Sequence, residues 1–258
     1  MLAPPSYVIS DVHLGHASPE TERLLLSFLR SLPGRASSLL INGDLFEFWF
    51  EWKSVVHRSG VRVLAALMDL RDAGIPVTML AGNHDCWGGD VLRDAGVDFQ
   101  LGPWAGNLGG WRARVEHGDG LRTKEDRGYR ALRYVLRNRL AIRAFGTLHP
   151  DWASRLAMGS SSASRNYQPR DSGRGLRAVA ESTLAADPSL ELLIYGHSHV
   201  SALERMPSGN VYANAGSWLD APTFLLVTPE RIALRTWAGS SEGPDLHTLD
   251  RRAEKAPS

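Results

Sequence analysis

Four short apolar runs, Tyr7-Val-Ile-Ser10, Leu39-Leu-Ile-Asn42, Val77-Thr-Met-Leu-Ala81 and Leu192-Leu-Ile-Tyr195, each give way abruptly to glycine or polar residues. Runs this short and this rich in Ile, Val and Leu predict strands buried on both faces. Helix-length segments separate the first three. One carries Leu24, Leu25, Phe28 and Leu29 at helical spacing, the other Val61, Leu64, Leu67 and Met68. Strand alternating with helix predicts an α/β fold with a parallel sheet component. Residues 112–116 read as a further strand. Residues 201–206, 211–215, 223–227 and 231–237 follow with short Pro, Gly and Asn breaks, and predict antiparallel strands in a second sheet packed on the first.

Residues 122–187 have another character. The stretch 127–144 places Leu132, Val135, Leu136 and Leu140 on one helical stripe ringed by arginines, 151–158 reads as a short helix, 159–164 as a flexible small-residue stretch, and 175–186 as a helix. The expected organisation is a core of residues 1–121 and 188–238, a helical cap insertion over 122–187, and a loose polar tail over 239–258.

The 258 residues carry a net charge of +1, so no global charge points to nucleic acid. Between Arg122 and Arg177, however, thirteen Lys and Arg face only four acids, which leaves the remainder acidic. The lone cysteine, Cys86, can form no internal disulfide, and no signal peptide or long apolar span is visible. These features predict a cytoplasmic protein with no obligate protein partner.

Chemistry-bearing residues follow the strand-like runs. They are Asp11-Val-His13, Gly43-Asp44, Gly82-Asn83-His84-Asp85, Glu116-His117-Gly118-Asp119 and Gly196-His197-Ser198-His199. In open α/β sheets ligands bind beyond the carboxyl ends of strands. Five strand ends thus bring carboxylates, an amide and several imidazoles to one edge. That donor set suits Mn, Fe, Zn or similar divalent ions, and it is too large for one tetrahedral ion. Two ions sharing a carboxylate are expected. His16, His57, His149 and His247 lie outside any such motif and read as structural.

This constellation resembles the calcineurin-like metallophosphoesterases, whose signature runs Asp-x-His, Gly-Asp, Gly-Asn-His-Asp/Glu, a lone His and Gly-His-x-His. The resemblance implies two mixed β-sheets sandwiched between helices. It implies one ion on Asp11, His13, Asp44 and His199, and a second on Asn83, His117, His197 and the bridging Asp44. His84 would stabilise the phosphoryl oxygens or protonate the leaving group, with Glu47 orienting it. Asp85 and Asp119 would hold ligands in place.

Gly43-Asp-Leu-Phe-Glu-Phe-Trp49, His117-Gly-Asp followed by Thr123 and Tyr129, and Ser164-Arg-Asn166 are similar to the UDP-2,3-diacylglucosamine diphosphatase branch. That branch splits a nucleotide–sugar pyrophosphate in lipid A synthesis, releasing UMP and an acylated sugar phosphate, often with manganese; iron, zinc or magnesium are alternatives. Many of its members carry Arg where this chain has His84, the residue of the wider superfamily. Tyr129, Ser164, Arg165, Asn166, Asn83 and Trp49 are the candidate substrate contacts. Phe46, Phe48, Trp49, Phe50 and Trp52, with the cap leucines and Trp152, are candidates to line an apolar acyl cleft. The basic cap could then meet pyrophosphate or an anionic inner-membrane surface. The rival readings are a soluble phosphodiesterase or phosphatase acting on another nucleotide or phosphomonoester, and a non-catalytic binding module on the same fold. The second rival predicts lost ligands.

Overall fold

The computed structural model describes residues 1–123, 125–167 and 171–251, with the backbone alone for 160–167. The apolar runs do form strands, and each is shared between two cores by its alternation. In β1 (Ser6–Ile9), Tyr7 and Ile9 face one core and Val8 the other. In β2 (Ser38–Asn42) and β3 (Val77–Leu80), Leu40 and Leu80 join Val8, while Leu39, Ile41, Val77 and Met79 join Tyr7 and Ile9. The period of two along a strand requires this split. It also explains why the runs are apolar throughout instead of alternating.

Against the outer face lie α1 (Pro19–Ser31) and α2 (Val61–Asp72), which bury Leu25, Phe28, Leu29, Val63, Leu67 and Leu70. Each such side chain stabilises the fold by about 2 kcal/mol. Ser18 caps α1 by accepting from the Thr21 amide at 3.1 Å, and Pro19 opens the helix. The short α3 (Asp90–Asp94) precedes β4 (Val97–Gln100), which extends the parallel array.

β5 (Trp104–Leu108), β6 (Trp111–Val115), β7 (Leu192–Tyr195), β8 (Ala202–Arg205) and β9 (Val211–Asn214) make the second sheet, in the order β5-β6-β7-β9-β8. The first sheet runs β12-β11-β10-β1-β2-β3-β4, completed by β10 (Thr223–Val227), β11 (Arg231–Trp237) and β12 (Glu242–Asp250). Leu108, Val115, Ile194, Ala213, Leu225 and Leu234 meet Val8, Leu40 and Leu80 between the sheets. The layers are helix, sheet, sheet, helix, with both sheets mixed.

Several expectations need correction. The tail is not loose as far as Asp250, because residues 242–250 form β12, paired antiparallel with β11. Its side chains are mostly exposed, so an edge strand here left no apolar signature. The stretch 127–144 is two helices, α4 (Arg127–Leu136) and α5 (Arg139–Gly146). Asn138 breaks the chain and caps α5, accepting from the Leu140 and Ala141 amides at 2.8 and 3.2 Å. The small-residue stretch 159–164 lies inside α6 (Pro150–Tyr167), since Ser and Ala cost a helix only tenths of a kcal/mol each, up to roughly 0.5.

The last helix, α7 (Arg174–Ala186), lies within the stretch assigned to the cap but packs Leu176, Ala180 and Leu184 against Leu193, Tyr195 and Tyr212. It is therefore the outer layer of the second sheet.

No residue of α4 or α5 is buried. The corner they form docks on the core through Phe145, whose ring lies 5.1 Å from Phe50, 6.0 Å from Phe48 and stacks on Trp87. Trp87 also donates from Nε1 to the Leu136 carbonyl at 2.8 Å. Among the described residues no helix is long and apolar enough to cross a membrane.

Candidate metal centre

All five motifs stand just past strand ends, three in the first sheet (β1, β2, β3) and two in the second (β6, β7). The centre thus straddles the seam between sheets. Backbone bonds lace its loops together: the amides of Val12 and His13 both donate to the Asp44 carbonyl, at 2.9 and 3.0 Å, and Asp11 donates to Gly43.

Among the described residues six non-glycines have positive φ, and five of them are Asp11, His13, Asp44, His197 and His199, at 52–60°. Left-handed backbone costs an L-residue roughly 1–2 kcal/mol. Such strain persists where surrounding structure enforces it and function requires it. Here it turns five side chains inward within very few residues of a strand end. Glycines make room between them. A Cβ at Gly82 would collide with the Asp44 carboxylate, and one at Gly43 with the His117 ring.

Among the described residues three donor groups result, and one of them, His13, Asp44 and His84, overlaps the other two. Asp11, His13 and His199 form the first of those two; Asp44, His117 and His197 form the second. Asp44 faces both, its Oδ2 lying 3.2 Å from His117 Nε2 and 3.9 Å from His13 Nε2. The rings are held by their far nitrogens. His117 Nδ1 donates to the Asn42 carbonyl at 2.8 Å, and His13 Nδ1 is 3.0 Å from Glu47 Oε2. Each Nε2 is thereby aimed inward, where the neutral ring would offer its lone pair to a metal ion.

Burial opposes the charge of Asp44, but His117, His84 and His13 outweigh it and hold the carboxyl well below the usual range. Asp11 is likewise lowered by His199 and His117 against its burial. Asn83 Oδ1 and His117 Nε2 are buried without a hydrogen-bond partner. Buried polar atoms without a hydrogen-bond partner beside buried carboxylates are costly unless a cation satisfies them. Oxygen and imidazole donors in two clusters about one shared carboxylate fit divalent cations.

Glu47 grips His13 with its carboxylate and reaches His84 Nδ1 with its main-chain carbonyl, at 2.9 Å. Its acid lies closer to a candidate ligand than to His84, whose Nδ1 is 3.8 Å from Oε1, so Glu47 holds both rings. His84 stands at the rim, its amide donating to Asp44 Oδ1 at 3.0 Å, and it lies within 4.8 Å of His13 and Asp44.

Asp85 touches no ligand ring. Its carboxylate accepts from the Leu45, Phe46 and Gly82 amides, and so clamps the loops that carry Asp44 and Asn83. Burial first, then the charge of Asp44, pushes its carboxyl up to about 7. Asp119 accepts from the Tyr129 hydroxyl at 2.7 Å and sits 3.8 Å from Arg133.

Tyr129, expected as a head-group contact, donates its hydroxyl hydrogen to Asp119. Trp49 is fully buried, stacked on Phe46 at 4.2 Å, and belongs to the core. Phe46, Phe48 and Phe50 are buried with it, so the aromatic segment is mostly packing. The side chains of Ser164, Arg165 and Asn166 lie outside the described residues.

Sequence reasoning missed Asn42, which holds His117 through its carbonyl and ties β2 to Glu116 through Nδ2. Asn214 Nδ2 donates to the Gly196 carbonyl and Ser217 Oγ to the Asp11 carbonyl, at 3.0 and 2.9 Å. Both fix ligand loops, and a buried polar residue beside a motif was the available signal.

A centre of this geometry, at the seam of a two-sheet sandwich, defines a metal-dependent hydrolase of phosphate esters. A family profile described as calcineurin-like phosphoesterase matches residues 4–201. The UDP-2,3-diacylglucosamine hydrolase of Porphyromonas gingivalis is 32% identical over 216 residues, covering 75% of this chain and 82% of that protein. The enzyme of that name from Neisseria meningitidis serogroup A is 33% identical over 200 residues, covering 76% and 82%. That from Xanthomonas oryzae pv. oryzae is 29% identical over 245 residues, covering 89% and 98%. The chain belongs to the calcineurin-like phosphoesterase family.

Proposed function

We propose that this chain hydrolyses the pyrophosphate of a diacylated UDP-glucosamine, releasing UMP and an acylated sugar phosphate for lipid A synthesis. The observation that carries the hydrolytic reading is Asp44, whose Oδ2 faces His117 on one side and His13 on the other. Asp11, His13, Asp44 and His199 would hold one divalent cation, and Asn83, His117, His197 and Asp44 a second, with Mn²⁺ suited to this oxygen and imidazole set. When bound, the pair would neutralise phosphoryl oxygens and make a water acidic enough to attack phosphorus near neutral pH.

The protein's own groups complete the reaction. Glu47 fixes the His13 ring, and Asn42 fixes that of His117. His84 has Nδ1 committed to the Glu47 carbonyl, so proton donation to the leaving oxygen falls to Nε2. Asp85 holds the two loops in register.

The lipid substrate is supported by the cap and by the names of the relatives. Leu132, Val135, Leu140 and Trp152 are 51–72% exposed on helices at the cap, among arginines. An apolar face edged with guanidinium groups suits an acylated, anionic substrate and peripheral contact with an anionic membrane.

The test offers the Mn²⁺-loaded protein the diacylated UDP-sugar, UDP-glucose and an aryl phosphodiester. Release of UMP from the acylated compound alone is expected, with none from the Asp44→Ala protein. Equal turnover of all three would instead support a soluble phosphodiesterase.

A further inference from the structure

The corner between α4 and α5 encloses a cleft of about 760 Å³, within the range of small-ligand sites. Arg130, Arg133 and Tyr134 line it from α4, Arg137 from the cap that ends that helix, and Arg139 from the first turn of α5. The first four are spaced i, i+3, i+4 and i+7, which puts them on one helical face. Asn138 then turns the chain and brings Arg139 to the same cleft.

No residue lining the cleft is acidic. Among the described residues only Arg133 of the four arginines has a carboxylate nearby, Asp119 at 3.8 Å. Two guanidinium groups of the same basic stretch are matched by carboxylates. Arg122 pairs with Asp126 at 2.6 Å and lies 3.6 Å from Asp171, and Arg177 pairs with Glu204 at 2.6 Å. Arg137 Nε is moreover buried without an acceptor.

Like charges crowded about one cleft repel, and a buried N–H without an acceptor carries its full desolvation cost. One multivalent oxyanion in the cleft relieves the repulsion. Guanidinium forks match phosphoryl oxygens in spacing and charge, and three or four forks exceed what a single carboxylate can use.

We propose that the α4–α5 cleft is a second anion site, built to take a phosphoryl group and distinct from the metal centre. Gly120, which also borders it, follows His117 by three residues in the chain, but none of the cleft's residues belongs to the donor clusters. The phosphoryl group could be that of a soluble pyrophosphate or nucleotide, or the phosphodiester headgroup of an anionic lipid. Leu140 and Tyr134, 71% and 84% exposed at the same place, offer the apolar surroundings a lipid would meet.

The test uses the full chain carrying Asp44→Ala, with chelator present, so that phosphoryl binding at the metal centre does not enter the readout. Inorganic pyrophosphate is titrated by calorimetry, and phosphatidylcholine vesicles with and without phosphatidylglycerol are tested by co-sedimentation. Arg130→Gln/Arg137→Gln/Arg139→Gln is compared with Arg127→Gln/Arg143→Gln/Arg155→Gln, which removes the same charge elsewhere on the cap.

The first triple is expected to weaken binding by about tenfold or more, and the second by less than about threefold. A selective loss on pyrophosphate identifies a soluble ligand. A selective loss on phosphatidylglycerol vesicles alone identifies a headgroup. Equal losses in the two triples, or no binding of either probe to the parent protein, overturn the proposal. Should the first triple fail to fold, Arg137→Gln alone is read by the same titrations. Because the metal centre is disabled throughout, failure here leaves the hydrolytic reading untouched.

Discussion

His13 and His199 point their Nε2 atoms at each other across 3.1 Å, while the other nitrogen of His13 rests on Glu47. At that separation the two nitrogens either share a proton or, both deprotonated, repel unless a cation joins them. The arrangement is held from behind, by Glu47 on His13 and by the left-handed backbone at both histidines. It is a preorganised grip whose strength depends on the group behind each ring.

Glu47→Gln therefore should weaken metal binding more than it weakens chemistry. The amide keeps the shape but loses the charge that fixes the His13 tautomer. A 10- to 100-fold rise in the Mn²⁺ concentration needed for half activity is expected, at roughly those limits for an outer partner of a ligand. Activity at saturating metal should largely recover. Titrating apo-protein with Mn²⁺ under constant substrate measures both. An unchanged titration midpoint would remove Glu47 from this role.

Asp44→Ala should abolish turnover, by about 1000-fold or more, because both clusters lose their shared carboxylate. Metal should also stabilise the wild-type fold, by about 4 kcal/mol when the ion is at a thousand times its dissociation constant. Thermal unfolding with Mn²⁺ and with chelator checks this. The midpoint should drop on chelation in the wild type and move little in the variant.

His57 packs its ring against Phe48, Trp49 and Trp52, and burial lowers its pKa below 6.5. The unfolded chain takes up this proton at a higher pH than the folded one does. Between the folded value and 6.5 the unfolded state binds more protons, so His57 makes stability fall as pH falls through that window. His57→Phe should flatten this part of the profile. Urea unfolding of both proteins from about pH 7 to about pH 5 compares the slopes. Parallel profiles would show that His57 titrates as it does in the unfolded chain.

Leu140→Asp and Trp152→Asp should raise the KM for the diacylated substrate by about tenfold while leaving turnover of an aryl phosphodiester within about twofold. Both residues are more than two-thirds exposed, so neither change should affect folding. Steady-state kinetics on the two substrates, with circular dichroism as a control, decides it. Equal effects on both substrates would mean that the cap does not read the acyl chains.

Much of the centre was legible in advance because a strand end is a local feature. A buried strand has an unmistakable run of Ile, Val and Leu, and the residues that follow it can point only past the sheet edge. Asp11, Asp44, Asn83, His117 and His197 could be read that way. The partners behind the rings could not. Asn42 looks like the last polar residue of β2, and only the second sheet, packed opposite, brings His117 to its carbonyl. Tyr129 and Trp49 failed in the converse way. Each is a residue type common in binding sites, but Asp119 engages one and Phe46 covers the other.

Local pattern alone thus determined the layered α/β class and the candidate donor types in their order, since periodicity and residue chemistry are properties of neighbouring positions. Tertiary structure decided the rest. It closed β12 onto β11 without an apolar signal, because main-chain hydrogen bonds suffice at an edge. It set Asp44 between two clusters drawn from different sheets, and it gathered four arginines around one cleft. Distances between remote segments depend on how cores pack, and no window of sequence contains them.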